Sequence, residues 1–224
     1  MATLGCTQRR ILITNRDYQR LLESAGQSAW LNDNIINFGM GYLLATVDFE
    51  SALRRDDIAI FSSFFFENLQ LGADGDDYIS HWKAYERAAK FTNGDDYWEK
   101  RMIFIPICLN HHWFLAIIIN PSGGLKHADI VNSKRTAILI LDSLPMPNQF
   151  SVQRPDVETL LRKWHSRTRA EHSTGSRPYC IDTALTPTIH YMNTPKQTNT
   201  CDCGIFAACQ HNLSCKVVPH STGI

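Results

Sequence analysis

The sequence has no surplus of either charge: 22 Lys and Arg residues balance 22 Asp and Glu over 224 residues. No global field therefore steers it toward nucleic acid or an anionic membrane, and a protein partner is easier to accommodate. Long hydrophobic runs are also missing. The longest, such as Phe114 to Ile119, are far too short to span a bilayer. The opening Met1-Ala2-Thr3-Leu4-Gly5-Cys6 carries no apolar h-region, so no secretory signal is expected. Seven cysteines, an odd number, imply no disulfide framework and point to a reducing compartment. No repeat, low-complexity tract or linker divides the chain. One domain over 1–224 is expected, long enough to bury a sizeable core without disulfides.

What the sequence does contain is a set of β-rich and helical patterns. Ile11-Leu12-Ile13 reads as a short strand or turn, and Tyr18, Leu21 and Leu22 follow at helical spacing. Asn32 or Asp33 suits the N-cap of an amphipathic helix running to about Ala45, with Ile35, Ile36, Phe38, Tyr42, Leu43 and Leu44 on its apolar face. Trp30 precedes that cap, where its ring fills a core gap or walls a cleft. The run from Ile58 to Phe66 fits either a strand entering a helix or one buried helix. Tyr78 to Lys90 fits a surface helix between the acidic pairs Asp76-Asp77 and Asp95-Asp96, which read as solvated loop residues. Met102 to Ile107 is a strand. His112 to Ile119 is a second, apolar on both faces and hence central, ending at Pro121 to Gly124. Thr136 to Asp142 is a third, stopping at Ser143-Leu144-Pro145. Val157, Leu160, Leu161 and Trp164 mark a helix starting near Asp156, and a polar connection leads to Pro195-Lys196-Gln197.

The chemistry gathers at Gln197 to Phe206. A polar loop delivers Cys201 and Cys203 to an apolar series, Ile205 to Cys209 and Leu213, long enough for two to three turns of helix, with Asp202 or Thr200 as cap. Cys203 then sits at a helix N-terminus, where free N–H groups and the dipole favour thiolate over thiol. Gly204 is expected to let a substrate approach the sulfur. If the strands around 113–119 and 136–141 pair antiparallel, the start of one lies beside the end of the other, and His112 meets Asp142 across thirty positions. A carboxylate beside an imidazole fixes its tautomer, and an imidazole so held can take a thiol proton and return it to a leaving amine. His111 competes with His112 for the role of base. Gln197 supplies an amide donor shortly before the cysteine.

These residues carry a resemblance to the Ulp/SENP cysteine proteases, which process and remove SUMO and related ubiquitin-like proteins. The matching pieces are Trp30-Leu31-Asn32-Asp33-Asn34-Ile35-Ile36, His112-Trp113, Ile140-Leu141-Asp142-Ser143-Leu144, and Gln197 through Asp202-Cys203-Gly204, in the family's order. Ile60 to Phe65, Phe104 to Ile107 and Pro195-Lys196-Gln197 look most like the SENP subgroup that trims SUMO chains. The resemblance implies an α+β, papain-like fold: a central mixed or antiparallel sheet flanked by helices, with the nucleophile at a helix N-terminus. It implies Cys203 as nucleophile, His112 as base, Asp142 as the acid orienting it and Gln197 in the oxyanion hole. It further implies that Trp30 and Trp113 sandwich the substrate's C-terminal Gly-Gly, with Asp33 of the same motif also substrate-binding. Flat indoles suit that task, since they exclude any residue bearing a Cβ. Cleavage after the Gly-Gly of SUMO follows, with SUMO or SUMO conjugates as partners, no metal or cofactor, no nucleic acid or membrane, a monomeric state, and a nuclear or cytoplasmic site. Grip on the folded modifier is expected around 1–30 and 67–100.

Two departures from the family pattern are present. The family domain continues past the nucleophile helix, whereas this chain ends about twenty residues after Cys203 in the polar segment Pro219 to Ile224, so a C-terminal truncation is expected. Cys201 beside Asp202-Cys203 is unusual, an inert thiol or a redox partner of Cys203. Three other readings compete. A zinc-binding interaction module would use Cys201, Cys203, Cys209, His211 and Cys215, whose spacing fits zinc poorly. An inactive SUMO-binding module would keep the cleft without the cut. A protease for another ubiquitin-like modifier, such as NEDD8, would keep the chemistry.

Overall fold

The computed structural model describes residues 11–25, 29–46, 53–71, 78–91, 97, 99–121, 136–144, 157–165 and 188–209. The acidic pairs, His211, Cys215 and the tail from 210 to 224 lie outside the described residues. Ten main elements follow in chain order: α1 (Asn15–Ala25), α2 (Asp33–Thr46), β1 (Ile58–Ile60), α3 (Phe64–Gln70), α4 (Tyr78–Ala89), β2 (Met102–Leu109), β3 (His112–Ile119), β4 (Ala137–Leu141), a helix α5 over 157–165, and β5 (Thr188–Tyr191). An eleventh, α6, covers 203–209. None of the described helices is long and apolar enough to cross a membrane.

The sheet runs in the order β1-β2-β3-β4-β5. β1 is parallel to β2, β2 antiparallel to β3, β3 antiparallel to β4, and β4 parallel to β5, so the sheet is mixed. β3 lies at its centre, as its two apolar faces require, and those faces bury different layers. Trp113, Leu115 and Ile117 point to α2 and α6, meeting Leu31, Ile36, Met40, Leu44, Cys203 and Ala207. Phe114, Ala116 and Ile118 point to the other side, meeting Phe65, Phe66 and Leu69 of α3, Ala88 of α4, and Leu161 and Trp164 of α5. Each such fully buried side chain contributes roughly 1.5–3 kcal/mol, and together they fix the strand register that the site depends on.

The turn between β2 and β3 settles which histidine heads the strand. Asn110 and His111 both have positive φ, 48° and 62°, and connect the opposed residues Leu109 and His112. A two-residue connection of this hand matches the twist of the flanking strands, and Asn and His tolerate left-handed backbone better than most residues. His111 is therefore spent on the turn, and His112 opens β3.

The expected helices, the β2–β3–β4 core and the antiparallel pairing of β3 with β4 are all present. The run from Ile58 resolves as strand then helix, because Ser62 and Ser63 separate β1 from α3. Two expectations differ. Ile11 to Ile13 has no regular structure. β5, within the stretch read as a polar connection, adds a strand beside β4. The helical spacing of Tyr18, Leu21 and Leu22 is that of α1, which leaves all three exposed and turns Asp17 and Ser24 inward.

Candidate active site

The β3–β4 register pairs Leu115 with Leu141, so the two strands part at the end where His112 begins one and Asp142 ends the other. There His112 Nε2 lies 2.8 Å from Asp142 Oδ1, with both side chains more than nine-tenths buried. Asp142 Oδ1 also accepts the Leu144 N–H at 2.9 Å. The Asp142 carbonyl accepts from Thr194 Oγ1 at 2.7 Å and Lys196 Nζ at 2.9 Å, which pins the strand end to the loop before the cysteine. These two contacts carried no signal in the sequence, although Lys196 lies in the Pro195-Lys196-Gln197 piece, because the partner is a backbone oxygen about fifty residues away.

Burial, the largest influence on His112, pushes its imidazole down. Hydrogen bonding and charge at Asp142 and Cys203 outweigh it, and the imidazole is pushed up to about 9. Cys203 is thus a hydrogen-bonding partner of the same imidazole that Asp142 holds. The three residues expected to meet do meet.

Cys203 opens α6 and is 1% exposed. The first turn begins with the Phe206 N–H bonding to the Asp202 carbonyl at 3.0 Å. Neither Thr200 nor Asp202 caps it through a side chain. Asn199 organises the approach instead: its Oδ1 accepts the Cys201 and Asp202 N–H groups at 3.2 and 3.0 Å, and its Nδ2 donates to Asp202 Oδ2 at 2.7 Å. An Asx turn of this kind is local chemistry that Asn favours. Gly204 has a packing role that the sequence did not show. A Cβ there would meet Ile36 Cδ1 at 3.0 Å and Leu31 Cβ at 3.1 Å, so its bareness lets α6 press against the start of α2.

Cys201 and Cys203 separate by environment. Cys201 is buried, and burial, with Asp202 adding to it, pushes its thiol up. Cys108, an exposed residue at the end of β2, is pushed up to about 12 by desolvation of its thiol, with the nearby Asp33 charge next in size. Neither thiol shares the His112 contact among the described interactions.

Gln197 is 6% exposed. Its backbone N–H donates to the Ser143 carbonyl at 2.9 Å, its Oε1 accepts the Ser143 hydroxyl at 2.6 Å, and its Nε2 donates to the Asn199 carbonyl at 2.7 Å. The amide is thereby tied both to the end of β4 and to the loop that starts α6.

The tryptophans are placed differently from each other. Trp30 is 44% exposed, and its Nε1 donates to the Thr200 carbonyl at 2.9 Å, which anchors it to the cysteine loop. The ring stacked on it is that of His111, 5.4 Å between centroids and 13° from parallel. Trp113 is 3% exposed, packed among the α2-side core, with Nε1 donating to the Leu31 carbonyl at 2.9 Å. Trp30 therefore stands open beside the cysteine loop, while Trp113 lies inside and is tied to the backbone of Leu31. Asn32, not Asp33, caps α2, its Oδ1 accepting the Ile35 N–H at 3.1 Å. Asp33 sits partly exposed in the first turn, near Cys108.

Behind this wall lies a buried carboxylate with no sequence signal. Asp17 accepts from the Thr14 N–H and hydroxyl at 2.9 and 2.7 Å and from Asn32 Nδ2 at 2.7 Å. The Asn32 hydrogen bond, then those from Thr14, lower it to about 2. It joins α1 to the cap of α2 and so to Trp30 and Leu31.

The comparisons with known proteins agree with this geometry. Residues 29–221 match the Ulp1 protease family, C-terminal catalytic domain. The chain is 32% identical over 181 residues to the probable ubiquitin-like-specific protease 2A of Arabidopsis thaliana, covering 79% of this chain and 22% of that one. It is 29% identical over 204 residues to the ubiquitin-like-specific protease 2 of Saccharomyces cerevisiae, covering 86% and 18%. The chain thus spans about a fifth of the length of these relatives. Among solved structures, the C-terminal Ulp1 protease domain in complex with SMT3, the yeast ortholog of SUMO, aligns with a TM-score of 0.58 at 26% identity, over 96% of this chain and 76% of that one. A five-stranded mixed sheet between helices, with a cysteine at a helix start beside a His–Asp pair, has this α+β papain-like architecture, and the chain belongs to the Ulp1 protease family through its C-terminal catalytic domain.

Proposed function

We propose that this chain is a thiol protease that cleaves after the C-terminal Gly-Gly of SUMO, releasing it from precursors or from conjugated lysines. The observation that carries the reading is the buried 2.8 Å His112–Asp142 pair with Cys203 hydrogen-bonded to the same imidazole. Cys203 is the nucleophile. His112 takes its proton, and the sulfur attacks the carbonyl of the terminal glycine to give a tetrahedral oxyanion. The imidazolium, stabilised by Asp142, then protonates the leaving amine, and the acyl-enzyme is hydrolysed by a water that His112 activates in turn. Gln197 has one Nε2 hydrogen engaged by Asn199, and the other is without a partner among the described residues and serves the oxyanion. Trp30 forms the open wall over the terminal Gly-Gly, Trp113 sets the backbone of Leu31 beneath it, and Asp33 contacts the modifier. The names of the relatives and the SMT3 complex of the structural neighbour support SUMO as the substrate, and the nucleus or cytoplasm as the place of work belongs to the same proposal.

The test is covalent capture. SUMO bearing a C-terminal electrophile should form an adduct with the parent chain and none with Cys203→Ser, while ubiquitin and NEDD8 probes react far more slowly. Equal capture of the NEDD8 probe would reassign the substrate, and no Cys203-dependent adduct with any probe would remove the protease reading.

A further inference from the structure

We propose that Ser143 is a positioning residue for the reaction: its hydroxyl sets the orientation of the Gln197 side-chain amide, so that an N–H and not the oxygen faces the developing oxyanion. This rests on the reading of Gln197 as oxyanion donor and extends it to the residue that holds it.

Ser143 is 2% exposed at the end of β4. A hydroxyl buried there costs free energy unless it is hydrogen-bonded, and its partner is Gln197 Oε1 at 2.6 Å. The backbones of the same two residues are joined by the Gln197 N–H to the Ser143 carbonyl at 2.9 Å, so the contact is a two-point clamp. The opposite end of the amide lies 2.7 Å from the Asn199 carbonyl, a group that can only accept. That end is therefore the nitrogen, and the end beside Ser143 is the oxygen, which the hydroxyl satisfies by donating.

The terminal torsion of a glutamine is soft and roughly two-fold. With the hydroxyl gone, Oε1 is left buried without a donor, and the amide gains by turning to find one. A turned or mobile amide presents its oxygen to the oxyanion part of the time, which repels where it should stabilise. Ser143 directly follows Asp142, so one strand end directs both halves of the chemistry: the carboxylate holds the proton carrier, and the next residue holds the charge stabiliser.

The experiment is a double-mutant cycle on the full chain, with turnover measured on SUMO carrying a C-terminal fluorogenic amide. Gln197→Ala is expected to cost on the order of 10²-fold in kcat. Ser143→Ala should cost roughly tenfold in kcat with KM within twofold, and leave the basic limb of the pH profile in place. In the Gln197→Ala background, Ser143→Ala should cost nothing further. Ser143→Thr, which keeps the hydroxyl, should retain kcat within about threefold and stands in if the alanine variant does not fold. An equal loss from Ser143→Ala in both backgrounds, or a shift of the pH limb, would overturn the inference, since the residue would then act through packing or through Asp142. If Gln197→Ala itself is silent, the oxyanion reading fails first and this one with it.

Discussion

Consider Asp142→Asn, which changes charge and almost nothing else. The amide has the shape of the carboxylate, and its oxygen can still accept from Leu144 N–H, now at 2.9 Å. Thr194 and Lys196 bind the backbone carbonyl of residue 142, so the strand end stays tied to the cysteine loop. What disappears is the negative partner 2.8 Å from His112. The imidazole stands at about 9 only because that partner, together with Cys203, outweighs burial. An opposite charge at this range moves a titration by roughly 1–3 in pH. The basic limb of kcat/KM, where the imidazolium loses the proton destined for the leaving amine, should therefore fall from near 9 to between roughly 6 and 8. Turnover at neutral pH should drop by about 10²–10⁴-fold, the range of a proton transfer lost.

The same pair predicts a stability profile. The folded His112 value lies above its ordinary 6.5, so the stabilisation is fully present below pH 6.5 and is lost as pH rises through about 9. It amounts to at most about 3 kcal/mol. Urea denaturation of parent and variant across pH 6 to 10 checks this. The parent should weaken over that range up to about pH 9, and Asp142→Asn should change much less and be flat above about pH 8. A variant whose rate stays within threefold and whose basic limb stays near 9 would refute the assignment of Asp142 as the orienting acid.

Other substitutions separate packing from chemistry. Gly204→Ala places a Cβ 3.1 Å from Leu31 Cβ, an atom that cannot swing aside, so it should cost about 1–3 kcal/mol in denaturation and lower kcat by displacing Cys203; unchanged stability would contradict the close packing of α6 on α2. Asp17→Asn leaves the Thr14 and Asn32 donors facing a weaker acceptor and should destabilise by about 2 kcal/mol. Because Asp17 is lowered to about 2, its contribution is present above pH 3.8 and lost as pH falls toward 2, and acid unfolding of the variant should lack that component. Trp30→Ala, at a 44% exposed residue, should leave the melting temperature within a few degrees while lowering kcat/KM on a SUMO substrate by on the order of tenfold; full activity would remove Trp30 from the substrate wall.

Most of the scaffold was legible because it rests on periodicity. The two-faced run His112–Ile119 reads as a central strand, and antiparallel pairing with 137–141 alone is enough to bring His112 to Asp142. Cys203 at a helix start follows from a polar loop meeting an apolar run. β5 was not legible: Thr188–Tyr191 is four residues long and flanked by polar chain, too short for a pattern to stand out. The inward face of α1 was not legible either, because its anchor is Asp17, a polar residue that an apolar pattern does not mark.

The remaining gaps share one physical cause, that side chains in this site are held by backbone oxygens. Trp30 is fixed by the Thr200 carbonyl, Trp113 by that of Leu31, Gln197 by that of Asn199, and Lys196 and Thr194 by that of Asp142. A carbonyl belongs to every residue, so no residue type marks it in a sequence. Adjacency in the chain shows that Trp113 follows His112, but not that the indole faces the layer of Leu31 and Cys203 while the His112 imidazole meets Asp142 where the strands part. Alternation along β3 decides that: consecutive side chains must leave on opposite faces, and the turn at Asn110-His111 sets which face comes first. A one-residue change in that turn would exchange the two faces, taking Trp113 off the layer that holds Leu31 and Cys203 and His112 off Asp142. The hairpin turn is therefore as much a determinant of the catalytic arrangement as the residues that touch the thiol.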